Sequence, residues 1–308
     1  MRDKTDYITY LQRKDLANAT QKAYCKSVDR FLEWFANDPI NCTKKDVLHY
    51  LAYLKNNTPQ QNITRRNSCI ALNHYFTSLL QSGMMSENPL AFIKIRGTNK
   101  KQLHKIYTPD ELTQLADDYH AFFVTSYDDR HLDGAKKHSS FLSRNRNYTM
   151  LTFLLYQGLT TRELPLIQIE NIDLMKARLT LDNGKTKRNL PIQATQMGAI
   201  INYLNNIRPL AVEFFGETEQ LFFSLSAEHY NQTFSKPLRQ LTKQVKIIHP
   251  NFVNFSQTRA SVITHWIQTE GLRKAQYLAG HKHIKSTENY LPNDLDSLKS
   301  DIQKFNPF

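Results

Sequence analysis

A chain of 308 residues has room for two ordinary domains, each with ample core. Hydrophobic residues make up 40% and charged residues 22%, the balance of an ordinary globular protein, and no apolar run reaches the ~20 residues of a membrane helix, which excludes a helical membrane protein. The net charge of +12 is concentrated, with 17 Lys+Arg against 8 Asp+Glu in residues 1–106 and 23 against 20 beyond; the first part therefore suits a polyanion, most simply DNA or RNA, whereas an even spread would serve solubility alone.

The opening residues, MRDKTDYITY, carry charges where a signal peptide needs an apolar stretch, so a cytoplasmic location is expected. Helices separated by short polar breaks fill the first hundred residues. Tyr24, Val28, Phe31, Leu32 and Phe35 recur at helical spacing as one buried stripe. Thr43 and Asp46 form a capping box, after which Val47, Leu48, Leu51 and Leu54 are expected on one face. A third long helix, about 63–80, carries Arg65 and Arg66 near its start and stops near Gly83. Cys25, Cys42 and Cys69 form no CxxC pair, and their odd number argues against a disulfide framework.

From Asn88-Pro89 the apolar period is lost and Lys94, Arg96, Lys100, Lys101 and Lys105 accumulate, the pattern of a basic interdomain linker over 91–106. Thr108-Pro109-Asp110-Glu111 opens a helix with an N-cap, proline at N1 and glutamate at N3. Residues 120–143 read as a loop or partly ordered insertion, and a helix is expected over 147–156, ending at Gly158. Thr160 and Glu163, in GLTTRELPL, have the spacing of a further capping box. RLTLDNGKTKRNLPI alternates polar and apolar residues about Asn183-Gly184, a hairpin signal. Helices are expected over about 193–206, 228–246 and 294–305, the last with Leu295, Leu298, Ile302 and Phe305 on one side.

The stretch 256–290 carries the chemistry. Arg259, His281 and Tyr290 each stand beside a helix start or stop. An arginine holds a phosphate in a bidentate fork, a histidine exchanges protons with it, and a tyrosine hydroxyl can attack phosphorus.

This spacing resembles the second signature box of the tyrosine recombinases, or phage integrase family: His-x-x-Arg, later Leu-Gly-His, then the nucleophilic tyrosine nine positions on. Ala279-Gly280-His281 stands for Leu-Gly-His and Tyr290 follows at the right distance, while Ser256 replaces the first histidine. Gly158-Leu159 and Glu163-Leu164 match the first box, Gly-Leu-Arg-x-x-Glu-Leu, with Thr160 where its arginine belongs. Thr20, Tyr24, Phe31 and Trp34 look like the family's core-binding domain, their aromatics serving the core.

The resemblance implies a mainly α fold with a small antiparallel β-sheet in a two-domain architecture. Residues 1–90 would form the helical core-binding domain, 91–106 the linker along the DNA backbone, and 107–308 an α+β catalytic domain with a C-terminal docking helix. It also implies double-stranded DNA as partner, with Arg65, Arg66, Lys94, Arg96, Lys100 and Lys101 on the DNA, and a homo-tetramer on two sites, with accessory recombination proteins in some systems. The expected reaction is site-specific cleavage and rejoining through a 3′-phosphotyrosyl link to Tyr290, without cofactor, metal or ATP. Arg259 would stabilise the phosphate, His281 would assist, and Lys185 in the hairpin would be the general acid, with Lys187 in reserve.

Lacking the first arginine, an active enzyme needs another cation, since one preorganised donor is worth ~10²–10³ in rate. Arg162 is the first candidate, reaching the site if a helix begins after Thr160, and Arg178 on the adjoining strand is the second. The alternatives are a weak or inactive homologue acting as a DNA-binding or recombinase-partner protein, and a type IB topoisomerase, against which the N-terminal helical domain argues.

Overall fold

Aromatic side chains spaced along helices build the first of two units, Met1–Gln102 and Leu103–Phe308, into which the computed structural model divides. Residues 2–58, 60–97, 105–128, 130–182, 186–225 and 234–291 are described.

The first unit holds α1 (Arg2–Arg13), α2 (Asn18–Phe35), α3 (Lys44–Asn56) and α4 (Asn62–Gln81). Phe31, fully buried, meets Tyr50 and Phe76 edge-on at 5.1 and 5.8 Å and stacks on Phe35 at 5.5 Å. Such offset and T-shaped pairs add to the area they bury. At the start of α3, Thr43 N–H donates to Asp46 Oδ2 at 2.9 Å and Asp46 N–H to Thr43 Oγ1 at 3.4 Å, completing the expected capping box. Val47, Leu51 and Leu54 of the expected face are buried, but Leu48 is 49% exposed and Tyr50 takes the inner place. One helical position turns a side chain through about 100°, carrying Leu48 off the stripe that Val47 defines. The three cysteines are free thiols. Residues 93–97 follow without helix or strand, and Asn62 Nδ2 at the start of α4 donates to Arg96 O at 3.0 Å.

The second unit opens with α5 (Pro109–Tyr119), capped by Thr108 and Glu111 as expected. The stretch expected to be irregular over 120–143 is instead largely helical: a π-turn spans His120–Thr125, and α6 runs from Gly134 to Tyr156. From Arg144 to Asn147 its polar side chains are buried, and specific partners hold them there. Arg146 donates to Asn147 Oδ1 at 2.9 Å and Phe223 O at 2.8 Å, while Asn147 Nδ2 and Tyr119 Oη both donate to Gln244 Oε1. From Met150 to Leu155 α6 is fully buried and forms the centre of the core.

Beyond Gly158 comes a turn, a short 3₁₀ helix (Leu164–Leu166), and an antiparallel sheet of β1 (Ile172–Asp173), β2 (Arg178–Asp182) and β3 (Lys187–Pro191), in that order. The expected hairpin is β2–β3, in the register Leu179↔Leu190 and Leu181↔Arg188. The small third strand, β1, lies on its other side. Then follow α7 (Ala194–Asn202), a π-turn (Tyr203–Ile207), α8 (Arg208–Phe215), α9 (Ser235–Ile248), α10 (Phe255–Glu270), α11 (Leu272–Ala279) and α12 (Ile284–Glu288). The final helix expected over 294–305 lies outside the described residues. Among those described, no helix is long and apolar enough to cross a membrane, and no three His, Cys, Asp or Glu residues gather to hold a metal.

Candidate active site

Arg259 sits on the second turn of α10 and is buried to 9% exposure. Its Nη1 donates to Gly158 O at 2.6 Å; Nη2 donates to Ala279 O at 2.7 Å and faces His281 Nε2 at 3.2 Å. One guanidinium thus ties the end of the α6 connection to the carbonyl end of α11, where the helix dipole favours a cation. Gly158 adopts φ +54°, and a Cβ there would stand 3.0 Å from Val262 Cγ1, so the first box needs this glycine for both reasons.

Because an arginine has only donors, Nε2 of His281 must offer its lone pair, and the ring proton lies on Nδ1, which donates to Thr287 Oγ1 at 2.9 Å. Burial, together with Arg259 and Arg188, pushes the imidazole down to about 4, with Glu163 in opposition, so the ring is neutral at pH 7. Tyr290 follows α12 and stacks on this ring at 5.8 Å with 11° between planes. Burial pulls the Arg259 guanidinium below its ordinary value, with Glu163 and the Tyr290 hydroxyl opposing and Arg188 adding to the pull.

Glu163 joins the two arginines. Its Oε1 accepts from Arg188 Nη2 at 2.6 Å; its Oε2 accepts from the Thr160 amide and hydroxyl, both at 2.8 Å, and lies 3.9 Å from Arg259 Nη1. Burial alone would raise the Glu163 carboxyl, but Arg188 and the bonds from Thr160 outweigh it and hold it below the ordinary value.

The structure therefore brings together Arg259, His281 and Tyr290, as expected from the sequence, and adds Arg188, Glu163 and Thr287. It does not bring Arg162 to them: that side chain is exposed on the 161–163 turn. The helix that would have redirected it does not form, since Pro165 disfavours helical backbone at Leu164 and only a 3₁₀ turn follows. Arg178, 40% exposed, pairs with Asp173 at 3.6 Å. Lys187 is exposed, on the face of β3 opposite Arg188. Lys185, Lys100 and Lys101 lie outside the described residues. Ser256 is exposed on the first turn of α10, one turn before Arg259. In the first unit Arg66, Lys94 and Arg96 are exposed, while Arg65 donates to Asn62 Oδ1 at 2.6 Å and Leu51 O at 3.4 Å.

A model of the phage integrase family matches residues 133–295, and one of a phage integrase N-terminal SAM-like domain matches residues 5–84. The chain belongs to the phage integrase family, the tyrosine recombinases, a class of enzymes that cleave and rejoin DNA. A tyrosine recombinase of Pseudothermotoga lettingae is 24% identical over 298 residues, covering 93% of this chain and 91% of its own. The tyrosine recombinase XerD of Halalkalibacterium halodurans is 25% identical over 290 residues, covering 90% and 88%. Among solved structures, the XerH site-specific recombinase bound to a palindromic difH substrate in a post-cleavage complex superposes with a TM-score of 0.68 at 15% identity, over 95% of this chain and 81% of that one. A lambda integrase dimer bound to a COC′ core site gives 0.62 at 14% identity, over 94% of each chain. At these identities the two structures establish a common fold.

Proposed function

We propose that the protein is a site-specific DNA recombinase in which Tyr290 is the nucleophile. The observation that carries this reading is the contact chain Tyr290–His281–Arg259, which sets a hydroxyl, a neutral imidazole and a buried guanidinium around one point. The tyrosine oxygen forms a bond to phosphorus and the bond from phosphorus to the 5′ oxygen breaks, leaving a 3′-phosphotyrosyl link and a 5′-hydroxyl. The phenolic proton must leave as the oxygen attacks, and the 5′ oxygen must gain one. Neutral His281 can accept a proton or a hydrogen bond, Arg259 stabilises the non-bridging oxygens, and Lys185, by the family resemblance, protonates the leaving oxygen. Rejoining is the reverse step with another 5′-hydroxyl. The phosphoryl bond energy is kept in the tyrosyl ester, so the chemistry consumes no cofactor.

In this proposal residues 1–90 bind the core of the site, 91–106 follow the backbone, and 107–308 cut. Arg66, Lys94 and Arg96, with Lys100 and Lys101, contact phosphates, and Arg65 positions the start of α4. Two duplexes are exchanged within a homo-tetramer acting in the cytoplasm, on the nucleoid.

Tyr290→Phe removes one oxygen and should abolish the covalent adduct on a nicked suicide duplex while duplex affinity in a gel shift stays within a few-fold. Adduct persisting in the Phe variant moves the nucleophile elsewhere. Tight binding without any adduct from the unaltered chain favours a DNA-binding partner, a reading that Thr160 and Ser256 keep open.

A further inference from the structure

We propose that Arg188, from β3, supplies the second phosphate-binding guanidinium that the first signature box lacks at Thr160, an inference that rests on the recombinase reading above. Strand alternation sends Arg188 inward with Leu190, opposite Leu181, and it is 1% exposed. Such a place in a sheet ordinarily belongs to an apolar residue, and a charge held there needs partners. Only part of its bonding capacity is used. Nη2 donates to Glu163 Oε1, but Nε and Nη1 are buried with no hydrogen-bond partner among the described residues.

These free donors lie at the catalytic cluster. Gly280 immediately precedes His281, and a Cβ built on it would stand 2.5 Å from Arg188 Nη1 and 3.2 Å from Nε. The absent side chain thus makes the room in which this guanidinium rests beside His281. The strand is held there by the Asn189 amide, which donates to Tyr277 Oη on α11 at 3.0 Å.

The balance of charge points the same way. Arg188 and Arg259 share one carboxylate, Glu163, and His281 is neutral, so the cluster carries one positive charge more than its single anion offsets. A buried donor left unpaired is destabilising, and a phosphate oxygen would relieve this while Arg188 stabilises the charge that grows on the pentacoordinate phosphorus. Thr160 cannot take this part, since its hydroxyl is turned onto Glu163.

The test measures adduct formation on nicked duplexes, with the cognate site first recovered by adduct capture from a pool randomised across the binding site. Arg188→Ala should slow cleavage of the ordinary phosphodiester by at least ~10²-fold. On a duplex with an uncharged methylphosphonate at the scissile position the deficit should shrink to a few-fold, because one of the two non-bridging oxygens is gone, and with it one of the two negative charges that the guanidiniums meet. Adding Thr160→Arg to Arg188→Ala should recover part of the lost rate on the diester.

An equal deficit on both substrates marks a structural role and overturns the proposal, as does a rate within a few-fold of the unaltered chain, or a loss found with Arg162→Ala instead. If Arg188→Ala does not fold, Arg188→Lys carries the test: it keeps a charge beside Glu163 but loses the fork. Its deficit must also shrink on the methylphosphonate, and an undiminished deficit, or none, overturns the proposal. No adduct from the unaltered chain on any duplex of the pool would remove the recombinase reading itself, and this inference with it.

Discussion

His281 is the site residue whose protonation its surroundings decide. Its ordinary value of 6.5 falls to about 4, first through burial and then through two neighbouring arginines. Between these values the unfolded chain binds more protons than the folded one, so the sign of the linkage is fixed: stability rises with pH across the window. The contribution is complete above about 6.5 and is lost as pH falls towards about 4. Half-exposure of the ring leaves solvent to screen part of the effect. His281→Gln, which cannot titrate, should show a shallower fall in urea midpoint between pH 6.5 and 4 than the unaltered chain. Parallel midpoint curves for the two proteins would mean that the imidazole is not held neutral by this cluster. A scissile phosphate placed beside the ring would act in the opposite sense and raise its proton affinity, so the value of about 4 belongs to the DNA-free protein.

The second turn of α10, the β2–β3 hairpin and the glycine after α11 together make the site, and they were unequally legible. Arg259, His281 and Tyr290 could be read because their spacing is fixed by short local elements. The hairpin could be read from Asn183-Gly184 and its alternation, and the same alternation places Arg188 in phase with Leu190 and Ile192. That signal was present, but nearness to Thr160 in the chain favours Arg162, and of the two hairpin strands Arg178 on β2 comes first, whereas Arg188 lies on β3. The start of α6 was hidden for a different reason. Its buried side chains include Arg144, Asn145, Arg146 and Asn147, and polar composition imitates a loop when the partners are distant in sequence. The capping box at Thr160 is half formed: Thr160 N–H donates to Glu163 as expected, but the hydroxyl donates to the carboxylate too, and no α-helix follows. Gly280 tests how tightly these elements fit. It caps α11 at φ +69°, and Gly280→Ala would meet both the backbone strain and the Arg188 guanidinium. A loss of ~1–3 kcal/mol is expected in urea unfolding with unchanged m-value, together with slower cleavage. A variant as stable and as fast as the parent would show that Arg188 is free to move aside.

At the scale of the whole chain the decisive quantity is the uneven charge, 17 Lys+Arg against 8 Asp+Glu before residue 107. A duplex that contacts this part releases counterions, so affinity should fall steeply with salt, with the logarithmic slope reporting the number of phosphates neutralised. The structure sorts the basic residues into those free to do this and those already engaged. Arg66, Lys94 and Arg96 are exposed, whereas Arg65 donates through Nη2 to Asn62 at the start of α4 and through Nη1 to Leu51 O on α3. Replacing Arg66, Lys94 and Arg96 together by alanine should therefore lower the salt slope by roughly one for each phosphate no longer neutralised, weaken cognate and unrelated duplexes alike, and leave the melting temperature nearly unchanged. Arg65→Ala should do the reverse, lowering stability by ~0.5–2 kcal/mol with little change in slope. Both are measured by fluorescence anisotropy across a salt series beside a thermal melt. An unchanged slope in the triple variant would mean that Arg66, Lys94 and Arg96 neutralise no phosphate and that the duplex is held by other residues.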